Sequence, residues 1–63
     1  QTLVSVVKED PERYVRLAAL HSIDRLREKS AIIPLFEQYA VEKDQVFKMK
    51  LFDITRGMIQ YSI

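Results

Sequence analysis

From residue 10 to residue 26 the chain reads DPERYVRLAALHSIDRL, and its apolar side chains return every three or four positions. Val15, Ala19, Ile23 and Leu26 fall on one face of a helix, with Ala18 beside them. Tyr14, Leu17 and Leu20 carry the apolar surface round to a neighbouring face. That arc is wider than the stripe of roughly 100° with which a helix rests on one core. The pattern therefore predicts a central helix with neighbours on two sides, approached closely at Ala18 and Ala19. Asp10 offers an acceptor to the free N–H groups of a first turn. Pro11 then suits the first helical position, and Glu12 the positive end of the helix dipole. Arg13 stands where a full capping box has Glu or Gln.

The flanking segments read as further helices. TLVSVVK, residues 2–8, has the β-branched residues of a strand. Leu3, Val4 and Val7 fit a helical face equally well. Helix is the preferred reading, because the chain supplies no partner strand and a lone strand leaves its backbone unpaired. The central helix is expected to fade near Glu28 or Lys29, with a break at Lys29–Ser30 and Ser30 capping the next helix. AIIPLFEQYAVEK carries that third helix, with Pro34 early enough to cost few backbone bonds and an end near Glu42 or Lys43. Asp44 caps a fourth, in which Phe47, Leu51, Ile54, Met58 and Tyr61 share a face. Val46, Met49, Phe52 and Ile59 give that helix a second apolar side. Gly57 marks either a close-packing point or a fraying end. Connections this short predict antiparallel packing of successive helices.

A weak internal repeat runs through the pattern. Val15 and Val46, Leu20 and Leu51, and Ile23 and Ile54 are matched pairs, each 31 positions apart. A period in that range points to stacked helical hairpins. Asp10, Pro11, Val15, Arg16, Ala19 and Ile23 resemble the first helix of a HEAT repeat, particularly the short HEAT-like kind. Ala31, Ile32, Pro34 and Leu35 resemble the second helix, and Asp44 the opening of the next unit. The similarity covers about residues 10–43 as a core repeat, with partial repeats flanking it in one segment, 1–63. The second unit departs from the pattern, with Phe47 after Val46 and Lys50 where a small residue belongs. The resemblance implies an all-α fold of three to four helices, the antiparallel hairpins of an α-solenoid, and a non-enzymatic scaffold or protein-binding role. It also gives Arg16 a structural part, reaching Asp10 or Asp44 in inter-repeat turns.

Size sharpens this. A chain of 63 residues buries only about 60% of its unfolded surface and is marginal alone. Its 48% hydrophobic and 30% charged residues are those of a folded chain. It has no cysteine, hence no disulfide or thiolate chemistry. No apolar run approaches the roughly 20 residues of a membrane span, and no signal-peptide pattern is present. An intracellular, cytoplasmic setting is expected, and Gln1 in place of Met points to a processed or excised fragment.

Candidate chemistry is sparse. His21, the single histidine, lacks the neighbouring ligands of a metal site and reads as a surface or boundary residue. Ser5, Ser22, Ser30 and Ser62 lack nucleophile-elbow glycines. One glycine cannot build a phosphate loop. Asp24, Glu28, Glu37, Glu42 and Asp53 are expected on solvated faces, and Glu12–Arg16 and Lys50–Asp53 as local ion pairs. No catalytic, cofactor or metal residues are assigned. The expected partners are neighbouring repeats, a second copy or another protein, met through Tyr14, Leu17, Phe52 and Ile59. Asp10, Arg16 and Asp44 make the polar contacts between repeats. The alternative is a small helical nucleic-acid-binding domain using Arg13, Arg16, Arg25, Arg27, Lys29, Lys48, Lys50 and Arg56. Interspersed acids and a formal charge of only +1 weigh against it.

Overall fold

The computed structural model describes residues 2–62, with side chains from Thr2 to Gln60. The described residues form four α-helices and one 3₁₀ turn. They are α1 (Leu3–Glu9), α2 (Arg13–Leu26), the turn Lys29–Ala31, α3 (Ile32–Val41) and α4 (Gln45–Ser62). The all-helical expectation holds among the described residues, and the first segment is helix rather than strand, Leu3–Glu9 with Thr2 as its N-cap. Thr2 explains that start: its hydroxyl accepts the Ser5 N–H at 3.1 Å, and Ser5 Oγ returns a bond to the Thr2 carbonyl at 2.8 Å.

The central helix begins two residues later than its capping chemistry predicts, at Arg13 rather than Pro11. Asp10 still belongs to the last turn of α1, donating its N–H to the Val6 carbonyl at 3.1 Å. Pro11 holds Asp10 in an extended conformation, which ends α1 there. The Asp10 carboxylate accepts only the Glu12 N–H, at 2.9 Å, so it shapes the turn and does not cap α2. α2 stops at Leu26 in a Schellman ending. Arg27 adopts the left-handed conformation, φ 53° and ψ 47°. Its N–H bonds the Asp24 carbonyl, and Glu28 N–H bonds that of Ile23. Ser30 caps nothing, because the 3₁₀ turn itself leads into α3 through Ala31 N–H to the Glu28 carbonyl, 2.9 Å. Asp44 does cap α4: its Oδ1 accepts the N–H groups of Val46 at 3.0 Å and Phe47 at 3.2 Å.

The closely packed pairs are α1 with α2 and α3 with α4; α2 also packs on α4, and α1 touches α3. Two hairpins with three-residue turns, at 10–12 and 42–44, thus lie side by side. The unit expected at 10–43 straddles them. The shortest dimension, 16 Å, is about two helix layers. Every element gives to the core between them: Val7, Ala19, Leu20, Ile23, Ala31, Leu35, Phe47, Leu51, Ile54 and Met58. The matched positions of the sequence repeat agree in burial, with Leu20, Leu51, Ile23 and Ile54 inside and Val15 and Val46 outside. Thr55, also buried, satisfies its hydroxyl on the Leu51 carbonyl at 2.6 Å.

The buried face of α2 is rotated from the expected one. Val15 and Leu26 are 45% and 63% exposed, whereas Leu20 is fully buried. The face runs Arg16, Ala19–Leu20, Ile23, because a charged side chain occupies a core-facing position. α4 keeps its expected face from Phe47 to Met58; the side chain of Tyr61 lies outside the described residues. Gly57 neither packs closely nor ends the helix, and a Cβ there meets nothing within 4 Å among the described residues. Gly57→Ala is therefore expected to stabilise the chain by about 1 kcal/mol, the helix-propensity difference, measured as a raised urea midpoint with unchanged slope. A lowered midpoint would show that the space is filled.

Candidate interaction surface

Arg16 reaches none of the partners expected for it. Its guanidinium makes a two-pronged pair with Glu42, Nη1 to Oε2 at 3.1 Å and Nη2 to Oε1. Its Nε donates to the Val7 carbonyl near the end of α1 at 2.6 Å. The guanidinium carbon lies 4.0 Å from the centre of the Phe47 ring. Arg16 thus touches α1, the α3–α4 turn and α4 at once. Glu42, expected on a solvated face, is only 7% exposed. The solvated reading failed because Glu42 leaves the helical conformation, at φ −68° and ψ 128°, and turns inward. It also accepts from Gln38 Nε2 at 2.8 Å and from the Asp44 N–H at 3.1 Å. Asp44 pairs instead with Arg13, Nε to Oδ2 at 2.7 Å. The expected pairs Glu12–Arg16 and Lys50–Asp53 do not form, so the ion pairs among the described residues join the hairpins rather than brace single helices.

Burial alone would raise the Glu42 pKa. Hydrogen bonds from Arg16, Gln38 and the Asp44 backbone, with the Arg16 charge, more than reverse that and hold it below 4.5. Asp44 is likewise lowered, first by the Arg13 hydrogen bond and then by the Phe47 N–H.

The outer surface has two features. On α3, Ile33 and Phe36 are 69% and 43% exposed, and Ala40 on the same face is exposed too. Positions 33, 36 and 40 have the spacing of one helical stripe, so this helix is apolar on an uncovered side. Between α3 and α4 an open groove of about 400 Å³ is lined by Tyr39, Gln45, Lys48, Met49, Phe52 and Asp53. The Tyr39 and Phe52 rings sit 5.9 Å apart, tilted by 43°. Lys48 Nζ lies 4.9 Å from the centre of the Tyr39 ring, and the Arg56 guanidinium 5.6 Å from that of Phe52.

Of the four expected contact residues, Tyr14 is 79% and Phe52 46% exposed; Leu17 packs against the core and Ile59 is half-buried. Only Phe52 lines the groove. The α3 stripe was missed, although its signal is present: α3 has a single charged residue, Glu37, among ten. A helix apolar all round cannot be covered by so small a chain. His21 is exposed beside an open depression lined by Ala18, Ser22, Asp24 and Arg25. No described His, Asp or Glu residues group to hold a metal ion, and no described helix is long and apolar enough to cross a membrane. No family model, curated protein or solved structure matches this chain.

The lowered Glu42 pKa fixes an acid limb of stability. Its contribution is complete above the ordinary value of 4.5 and is lost as pH falls through the lower folded-state value. Stability is expected to be flat from about pH 7 to 5, then to decline by up to about 1.4 kcal/mol per pH unit per proton taken up. In Glu42→Gln the decline should be shallower. Thermal melts falling in parallel for both proteins would remove Glu42 as its source.

Proposed function

We propose that this chain is a non-enzymatic interaction or scaffold module, a pair of stacked helical hairpins of HEAT-like type. The observation that carries the reading is the uncovered apolar stripe Ile33–Phe36–Ala40 on α3. In an array, a repeat unit leaves one side bare until a neighbour covers it. The side-by-side order of the hairpins, α1 against α3 and α2 against α4, supports the same reading. Tyr14, exposed on α2, and Phe52, in the groove, remain contact residues in this proposal, with the half-buried Leu17 and Ile59 as lesser ones. The partner is a further hairpin, a second copy or another protein. Asp10, Arg16 and Asp44 act within this chain, shaping its turns and joining its hairpins.

The nucleic-acid alternative gains no support from the placement of the basic residues. Arg13 and Arg16 are engaged by Asp44 and Glu42, while Lys48 and Arg56 lie over aromatic rings. A phosphate-binding face needs such cations directed together at a backbone.

The isolated chain is expected to self-associate through its bare apolar side. Sedimentation equilibrium over a hundredfold concentration range should show mass rising above 7.4 kDa, and Ile33→Glu with Phe36→Glu should return it to monomer. A parent that stays monomeric and does not enhance a hydrophobic dye would overturn the interaction reading.

A further inference from the structure

The groove between α3 and α4 differs from the α3 stripe in being both aromatic and charged. Its floor is the tilted Tyr39–Phe52 pair, and Met49, 69% exposed, stands beside it. A methionine at a rim adapts to side chains of different shape. About 400 Å³ of open space takes one or two bulky side chains. Its openness suits side chains of a passing segment rather than an enclosed small molecule.

Charge selects among such segments. Lys48 and Arg56 are held over the two rings, and one carboxylate, Asp53, shares the lining. Neither cation is in an ion pair with an acid among the described residues. Cation–π contact fixes where each positive head sits, yet leaves its hydrogen-bond donors able to meet an acceptor. A carboxylate on either side of an apolar anchor would meet one of these heads. A polyphosphate backbone fits less well, since Lys48 and Arg56 already cover a face of each ring on which bases would stack.

We infer that this groove binds an acidic amphipathic segment of another protein, one bulky apolar side chain seated between Tyr39, Met49 and Phe52 and flanking carboxylates on Lys48 and Arg56. The inference rests on the interaction-module reading and names the partner chemistry of one of its surfaces.

The test is amide chemical-shift mapping on the full ¹⁵N-labelled chain at low concentration, with three probes. These are a short peptide of Leu and Phe flanked by Glu and Asp, its counterpart with every acid replaced by Lys, and an oligothymidine of similar length. The acidic peptide should shift residues around Lys48, Met49 and Phe52 and bind at least about tenfold more tightly than the basic one. Lys48→Glu with Arg56→Glu should reverse that preference. Met49→Ala, at an exposed position that leaves the fold intact, should weaken the acidic peptide alone. Equal binding of the two peptides, shifts centred away from the groove, or tighter binding of the oligothymidine would overturn the inference. So would groove shifts that appear on raising chain concentration alone, which would make a second copy the occupant. If the groove fails while concentration-dependent association persists, the module reading stands on the α3 stripe; if both fail, both readings fall.

Discussion

The Arg16 guanidinium is the point at which the two hairpins are tied together. It bonds the Val7 carbonyl on one side and Glu42 on the other, above the face of Phe47. Through Glu42 it also orders the turn before α4, since the same carboxylate accepts the Asp44 N–H. Asp44 then caps α4 and receives Arg13 from α2. The two ion pairs thus run from one helix to one turn, and that turn sets where the longest helix begins. Taking two charges out of water is costly, and their attraction often only offsets that cost. Here every lone pair is used: Glu42 accepts from Arg16, Gln38 and Asp44, and among the described residues no buried side-chain polar atom is left without a partner. The physical consequence is less extra stability than a single geometry. An apolar core alone would tolerate the hairpins sliding on each other; a two-pronged pair does not.

That geometry decides what remains outside. With α2 turned so that Arg16, Ala19, Leu20 and Ile23 face inward, Val15 and Leu26 are left at the surface. With α3 turned so that Leu35 is buried, Ile33, Phe36 and Ala40 face outward. A chain of this length lacks the helices to cover both sides of α3, so the bare stripe follows from holding the hairpins in this register. The groove between α3 and α4 is bordered by the same rings, with Lys48 over Tyr39 and Arg56 over Phe52.

The helical class, the caps at Asp44 and the buried face of α4 were legible in the sequence because each rests on local chemistry. Phe47, Leu51, Ile54 and Met58 recur at alternating steps of four and three, and no charge interrupts them. The face of α2 was not legible by the same rule, because counting apolar positions excludes Arg16 from the core. An arginine with a buried partner 26 positions away is invisible to periodicity. Asp10 misled for a related reason: its carboxylate suits a cap, but its own N–H was already committed to α1. Arg27 at a left-handed φ has no sequence signal, since Gly or Asn is the usual occupant. The α3 surface was readable as an excess of apolar residues, though not which of them would stay outside.

The central claim is that Arg16 and Glu42 act as one unit in fixing the hairpins together. A double-mutant cycle of Arg16→Met and Glu42→Leu, by urea unfolding at pH 7, tests it most directly. Each single substitution strands a buried polar partner and is expected to cost about 3 kcal/mol. The double variant should recover much of that loss, giving a coupling of about 2 kcal/mol or more. Additive losses, with coupling within about 0.5 kcal/mol of zero, would mean that the hairpins are held by the apolar core alone.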